Sequence, residues 1–288
     1  MKVFLLTAFA LTAFAFNSIL CRLALLGDEA DAAGFTAVRL ASGALMLAIL
    51  FTLSKRLGRQ ADTLPTGRVS AFWGSGSWPS AFFLFAYAIC FSFAYLGLTT
   101  ATGALILFGC VQLTMVGVSL AKGVRPRPIE WIGFIVAFGG LVYLILPGLS
   151  APPLINALLM AAAGIAWGFY SLRGKGSSDP LADTAGNFVR SVPMIAAVAL
   201  VFLSDLHLST RGVLFAVLSG AVASGIGYSV WYAALKHHTP TRAAVLQLSV
   251  PVIAAIGGIV FLAEAASMRV FVAGALILGG IGLTLLRR

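Results

Sequence analysis

Ten runs of about 20 mainly apolar residues, separated by short polar connections, leave this 288-residue chain few folds to choose from. The runs cover roughly 3–26, 34–54, 78–97, 101–121, 129–147, 154–173, 184–203, 211–234, 241–263 and 269–286. A helix of about 20 residues crosses a bilayer core about 30 Å thick. The runs are continuous rather than alternating, and an open sheet cannot satisfy its backbone in lipid, so helices are expected and strands are not. Composition points the same way. The chain is 60% hydrophobic and only 10% charged, with a mean hydropathy of +1.01. Soluble domains run at roughly 45–50% apolar and about 25% charged. A chain this apolar cannot cover its surface with polar groups, and the excess must face lipid. The expected fold class is an all-α integral membrane protein with ten transmembrane helices.

The formal net charge of +10 would suggest nucleic acid in a soluble protein. Here the basic residues form short clusters between apolar runs, which is how orientation signals are written in membrane proteins. One side carries Lys2, the Lys55–Ser77 loop with Arg56, Arg59 and Arg68, then Lys122, Arg125, Arg127, Arg173, Lys175, Lys236, Arg242, Arg287 and Arg288. The other side carries Asp28, Glu29, Asp31, Asp205 and Glu264, with Arg22, Arg211 and Arg269. This bias predicts a multi-pass protein of a bacterial-type cytoplasmic (inner) membrane with both termini cytoplasmic. The run after Lys2 is too long for the apolar core of a signal peptide and lacks a small-x-small exit. Leu20 is also too large to precede Cys21 in a lipoprotein cleavage site, so a first membrane span is expected. Cys21, Cys90 and Cys110 lie inside apolar runs with no Cys-x-x-Cys or Cys/His spacing, so neither a metal nor another cofactor is expected.

The two halves read as copies. Ala15-Phe16-x5-Arg22 reappears as Ala166-Trp167-x5-Arg173, and Arg39 follows Arg22 at the same interval as Arg190 follows Arg173. Gly139-Gly140 in the fifth run matches Gly279-Gly280 in the tenth. With five spans in each, the second copy must cross the membrane upside down. The expected domains are therefore residues 1–147 and 154–288, two inverted five-helix repeats. Such repeats place a substrate site near the midplane, where rocking opens it to either side.

Ala166-Trp167-Gly168, Pro251, and the stretch Phe261-Leu262-Ala263-Glu264 leading to Gly274 and Gly279-Gly280 resemble the drug/metabolite transporter superfamily in its ten-helix, EamA-type branch. The resemblance covers nearly the whole chain and is closest to bacterial amino acid exporters, including the YddG-like exporters of aromatic amino acids. It implies efflux of amphipathic metabolites from the cytoplasm. The first half departs from the pattern: Lys122-Gly123 stands where the second half has Glu264, and Val111-Gln112 where it has Pro251. Symmetric roles are therefore not expected.

Arg22, Arg39 and Arg190 are the ionisable groups expected within the membrane, where such groups usually serve function. Either one of them receives a substrate carboxylate, or all three tie helix ends and loops; their repeat-related placement favours the structural role. No Asp, Glu, Lys or His falls mid-membrane, which disfavours a proton relay. His237 and His238 read as solvated loop residues. Polar groups at depth are Asn17, Gln112, Ser171, Gln247 and Ser249, with Gln112 and Gln247 the better placed for substrate. Tyr87, Trp167 and Tyr228 lie deep enough to line a cavity, and Tyr95 and Tyr170 belong to the same aromatic set. Trp73, Trp78, Trp131, Trp231 and Tyr232 sit where an interfacial belt is expected. The expected substrate-binding residues are thus Asn17, Tyr87, Tyr95, Gln112, Trp167, Tyr170, Tyr228, Gln247 and Ser249. Gly225, Gly227 and Pro251, the last expected to bend its helix, are the hinge candidates.

The expected function is a secondary transporter exporting aromatic or other hydrophobic amino acids, or similar small metabolites, by alternating access. An integral-membrane enzyme acting on a lipid or isoprenoid is the alternative, but no acidic, histidine or cysteine cluster at a membrane face supports it. A channel would need a continuous polar stripe. The partners expected are a small-molecule substrate and the lipid bilayer, not nucleic acid, and a monomer is compatible with the sequence.

Overall fold

The computed structural model describes residues 2–58, 74–123, 127–146, 148, 151–174, 177–235, 237–238, 246–265 and 267–285. Arg59, Arg68, Trp73, Arg125, Lys175, Lys236, Arg242, Arg287 and Arg288, with most of the Lys55–Ser77 loop, lie outside the described residues.

The described chain is helical: α1 (Lys2–Leu26), α2 (Ala32–Gly58), α3 (Trp78–Ala94), α4 (Thr100–Ala121), α5 (Pro128–Ile145), α6 (Leu154–Gly174), α7 (Pro180–Val201), α8 (Thr210–Ala234), α9 (Ser249–Leu262) and α10 (Met268–Leu285). Among the described residues, seven helices are long and apolar enough to cross a membrane, while α3, α9 and α10 are shorter apolar helices. No strand occurs among the described residues beyond one isolated bridge, Ala30 to Leu208.

Helix starts are chemically marked. Ser77, Thr99, Asp179 and Ser209 accept the backbone N–H of Ser80, Thr102, Ala182 and Gly212, satisfying donors that a first turn leaves free. Pro128 and Pro180 sit at the start of α5 and α7, where a missing N–H costs nothing. The Asp179 cap starts α7 four residues earlier than the hydropathy suggested.

Pro251, expected in mid-helix, lies in the first turn of α9, just after a break at Leu248 that separates this helix from helical residues 246 and 247. Residues 241–245 of the expected ninth span lie outside the described residues.

The principal packing pairs are α1 with α8 and α9, α6 with α3 and α4, α2 with α7 and α8, α3 with α7, α4 with α9, and α5 with α10. Small residues allow the closest approaches. A Cβ added to Gly280 in α10 would stand 2.5 Å from the Ala137 backbone nitrogen in α5, and one added to Gly220 in α8 would meet the Arg39 carbonyl at 2.0 Å. A Cβ added to Gly279 would meet nothing within 4 Å, so its neighbour Gly280 is the contact residue. Large apolar side chains cover the outside, among them Ile135 at 64%, Ile155 at 74% and Phe271 at 73% exposure, a surface suited to lipid rather than water.

Polar links gather at two ends. At one end the Asp31 carboxylate accepts the His207 N–H (2.8 Å), Ser209 bonds Glu29, and Arg269 bonds the Leu146 carbonyl. At the other, Asp183 and Asn187 accept the N–H groups of Gly76 and Ser77, and Arg190 donates to the Ser75 carbonyl at 2.5 Å.

Candidate functional site

A cavity of about 470 Å³ lies between α1, α3, α4, α6 and α8. That is within the range of small-molecule sites, about 300–1,000 Å³. Its wall is aromatic-rich. The Trp167 ring lies 4.7 Å from Tyr87, 5.2 Å from Tyr170 and 5.4 Å from Tyr228. Phe14 meets Tyr228 and Trp231 edge-on at 5.5 and 5.8 Å. Edge-on and tilted contacts place ring edges against ring faces, which suits the quadrupole of each and stiffens the wall.

Polar groups are few and specific. Asn17 of α1 accepts the Ser219 hydroxyl at 2.7 Å and the Ser224 hydroxyl at 3.3 Å. Both serines belong to a π-helical stretch, Leu218–Ile226, inside α8. A π turn is wider than an α turn and is found mostly at functional positions. Gln112, Ser171 and Gln247 add side-chain amides and a hydroxyl to the wall. Toward one end the wall reaches Leu172, Gly174 and His238, and His238 Nε2 lies 2.8 Å from the Thr7 hydroxyl.

An ion pair lies beyond the opposite end. Arg22 of α1 donates through Nη1 to the Tyr95 carbonyl at 2.8 Å and approaches Glu264 with Nε at 3.4 Å. Glu264 in turn accepts the Thr100 N–H at 2.8 Å. One acid and one base thus join α1, the α3–α4 turn and the end of α9. Ala263 makes the turn with a left-handed backbone (φ 52°) that puts Glu264 back over α9, where its N–H donates to the Gly258 carbonyl.

Behind Tyr87 and Phe91, Arg39 of α2 is 2% exposed. Its Nη2 donates to the Tyr87 hydroxyl at 3.1 Å, and the guanidinium carbon lies 5.3 Å from the Tyr87 ring and 5.0 Å from the Phe91 ring.

Comparison with known proteins gives this site a setting. The profile of the EamA-like transporter family matches residues 154–286. An uncharacterized protein of Pseudomonas aeruginosa is 47% identical over 287 residues, covering 100% of this chain and 96% of its own length. The second half of the chain is thus EamA-like. An uncharacterized transporter of Archaeoglobus fulgidus is 27% identical over 203 residues, covering 67% of this chain and 70% of its own. A crystal structure at 20% identity superposes with a TM-score of 0.63 over 96% of this chain and 94% of that one, a likeness of fold. This EamA-like protein is accordingly a membrane transporter with a small-molecule substrate.

Of the residues expected to bind substrate, Asn17, Tyr87, Gln112, Trp167, Tyr170, Tyr228 and Gln247 line the transporter's cavity. Tyr95 and Ser249 lie elsewhere. Tyr95 is fully buried, packed edge-on to Phe91 at 4.8 Å, with its hydroxyl 3.4 Å from the Thr100 carbonyl. Ser249 bonds the Leu246 carbonyl at 2.7 Å, closing its own turn. Gly225 and Gly227 flank the end of the π-helical stretch, against Met46 and Ala13.

Three readings change. Trp231 and Tyr232, expected at the interface, line the cavity because that face of α8 turns inward. His238, expected in solvent, lines it too. Phe14, Phe91, Phe108 and Met115 also line it and were missed, since apolar residues in an apolar run carry no mark of the face they occupy; Ser18 lines it too.

Proposed function

We propose that this transporter is a secondary exporter of amino acids, aromatic ones included as in YddG-like exporters, and of similar small amphipathic metabolites. It works by alternating access through the central cavity. The observation that carries this reading is the cavity itself: an aromatic-rich wall with a few amides and hydroxyls, reaching toward His238, with the Arg22–Glu264 pair beyond its other end. An apolar body finds ring faces there, and a polar head finds Asn17, Gln112 and Gln247.

The packing pattern supports a ten-span architecture of two inverted repeats, residues 1–147 and 154–288. Advancing every helix by five turns the α1 pairs with α8 and α9 into the α6 pairs with α3 and α4, and α2–α8 into α7–α3. The pairs α2–α7, α4–α9 and α5–α10 map onto themselves. The basic clusters support cytoplasmic termini in an inner membrane. On that reading the cavity opens to the cytoplasm, and the Arg22–Glu264 link is the outer closure. Relatives with a functional name are transporters, which does not favour the alternative of a lipid-modifying enzyme.

The test is counterflow into liposomes holding purified protein, scanning amino acids with and without a pH gradient. Uptake driven by substrate alone, and changed less than about twofold when the pH gradient is collapsed, is expected of a cavity whose described wall carries no Asp or Glu. No uptake of any amino acid would overturn the reading. Uptake that requires the pH gradient would keep the exporter but show a titrating group at work, Glu264 first.

A further inference from the structure

We propose that Arg39 is the anion anchor of the transport site and that the ligand it takes is an apolar or aromatic monocarboxylate. An amino acid then binds through its carboxylate, and its ammonium adds little. The proposal rests on the transport reading and names the part of the substrate that the site recognises.

The described arginines differ in partner, and Arg173 donates to the Ser80 and Ser77 hydroxyls. Arg22 meets a carboxylate and a carbonyl, Arg211 lies 3.8 Å from Glu29, and Arg190 and Arg269 donate to carbonyl oxygens. Arg39 is the most buried of them, yet its hydrogen-bond partner is a neutral phenol, Tyr87. Its Nη1 is buried with no hydrogen-bond partner among the described residues. A guanidinium has five donors in a planar fork that matches a carboxylate in two parallel bonds. Leaving such a group in a low-dielectric interior without an anion is costly, so an anion from outside is strongly favoured there.

The position fits a ligand rather than a scaffold. Arg39 and Arg190 occupy matching places in the two halves, but Arg190 holds the backbone at Ser75 and Gly186 while Arg39 holds none. Tyr87 and Phe91, whose rings stack on the guanidinium, are themselves cavity wall. A small swing of Tyr87 opens the cation to the cavity and vacates the site where one carboxylate oxygen would bind. The rest of the ligand then lies along Trp167 and Tyr228.

The opposite charge is not provided for. The cavity wall carries no Asp or Glu among the described residues, so an ammonium meets ring faces, hydroxyls, amides and the His238 imidazole, and no carboxylate. The carboxylate must therefore carry the recognition.

Trp167 and Trp231 on the wall make binding readable by tryptophan fluorescence in detergent. Four phenyl compounds form the probe set: 3-phenylpropanoate, phenylalanine, phenethylamine and 3-phenylpropan-1-ol. With the wild-type protein, the two carboxylates should bind within about threefold of each other, and the amine and the alcohol roughly tenfold or more weakly. Arg39→Gln should weaken both carboxylates by about tenfold or more and leave the alcohol within about twofold, with Arg39→Lys recovering part of the loss. Wild-type binding of the amine as tight as that of 3-phenylpropanoate would overturn the proposal, and this comparison needs no variant to fold. Unchanged carboxylate binding in Arg39→Gln would overturn it as well. Counterflow separates the two readings. Transport of phenylalanine that ignores Arg39→Gln removes the anchor and keeps the exporter. Arg39-dependent binding with no solute crossing keeps the anchor and removes the exporter.

Discussion

Trp167 stands in ring contact with Tyr87, Tyr170 and Tyr228 and is half-buried, so part of its face is offered to the cavity. An aromatic contact of this kind contributes about 0.5–1.5 kcal/mol beyond simple burial. Trp167→Ala should therefore lower export of tryptophan by up to roughly tenfold. Threonine, too small to fill that space, should lose much less. The measurement is export of each, normalised to folded protein in the membrane. Equal loss of both would make Trp167 a packing residue. Gln112 and Gln247 were legible as cavity-wall residues because an amide inside an apolar run stands out. Trp231 and Tyr232 were not, because their distance from the end of a run says nothing about which way the helix turns them.

The helix pair α5–α10 illustrates what an element needs from a single atom. Gly280→Ala puts its Cβ 2.5 Å from the Ala137 nitrogen and 2.6 Å from the Gly133 carbonyl, and neither backbone atom can move aside alone. Overpacking of this kind costs about 1–3 kcal/mol. Gly280→Ala should lower the thermal unfolding temperature in detergent, while Gly279→Ala, facing open space, should leave it unchanged. A matched drop for both would show that the close contact lies elsewhere.

The Arg22–Glu264 pair, proposed as the outer closure, is tested in the same way. Glu264→Ala removes the acceptor of the Thr100 N–H and the counter-charge of Arg22. Hydrogen bonds to charged groups are each worth about 1.5–3 kcal/mol, so the balance should move roughly tenfold or more toward opening. With Cys21, Cys90 and Cys110 replaced by alanine, a cysteine at Ser18 should then react faster with an impermeant maleimide added outside. Unchanged labelling would mean that Arg22 and Glu264 brace the fold without gating it.

For the whole molecule, the decisive prediction concerns sidedness. Ser54 lies in the last turns of α2, and Asp28 lies just before that helix begins. Cysteines at these two positions should label from opposite membrane faces, Asp28 from outside. Labelling from one face would remove the inverted-repeat reading, since all later crossings follow from this one. The principal packing pairs map onto one another under a shift of five helices, yet the arginines at matching sequence positions differ in partner. Arg190 is bonded to backbone, Arg39 lies behind the cavity wall, Arg22 is paired with Glu264, and Arg173 donates to the Ser80 hydroxyl at 3.0 Å.

What the sequence by itself determined was everything that adds up locally. Hydropathy summed over each run made the chain helical and committed it to a membrane, caps such as Ser77 and Asp179 set where helices start, and the basic clusters predicted a sidedness. What only the tertiary structure decided was which faces meet. Each residue turns a helix by about 100°, so a one-residue uncertainty in rotation separates Gly280 in contact from Gly279 in open space. The same holds for charge. Arg22 and Glu264 are 242 positions apart, and no local property says that they meet or that Arg39, fully buried, finds no acid. Pairing depends on distance in space, and the packing of helices alone sets that distance.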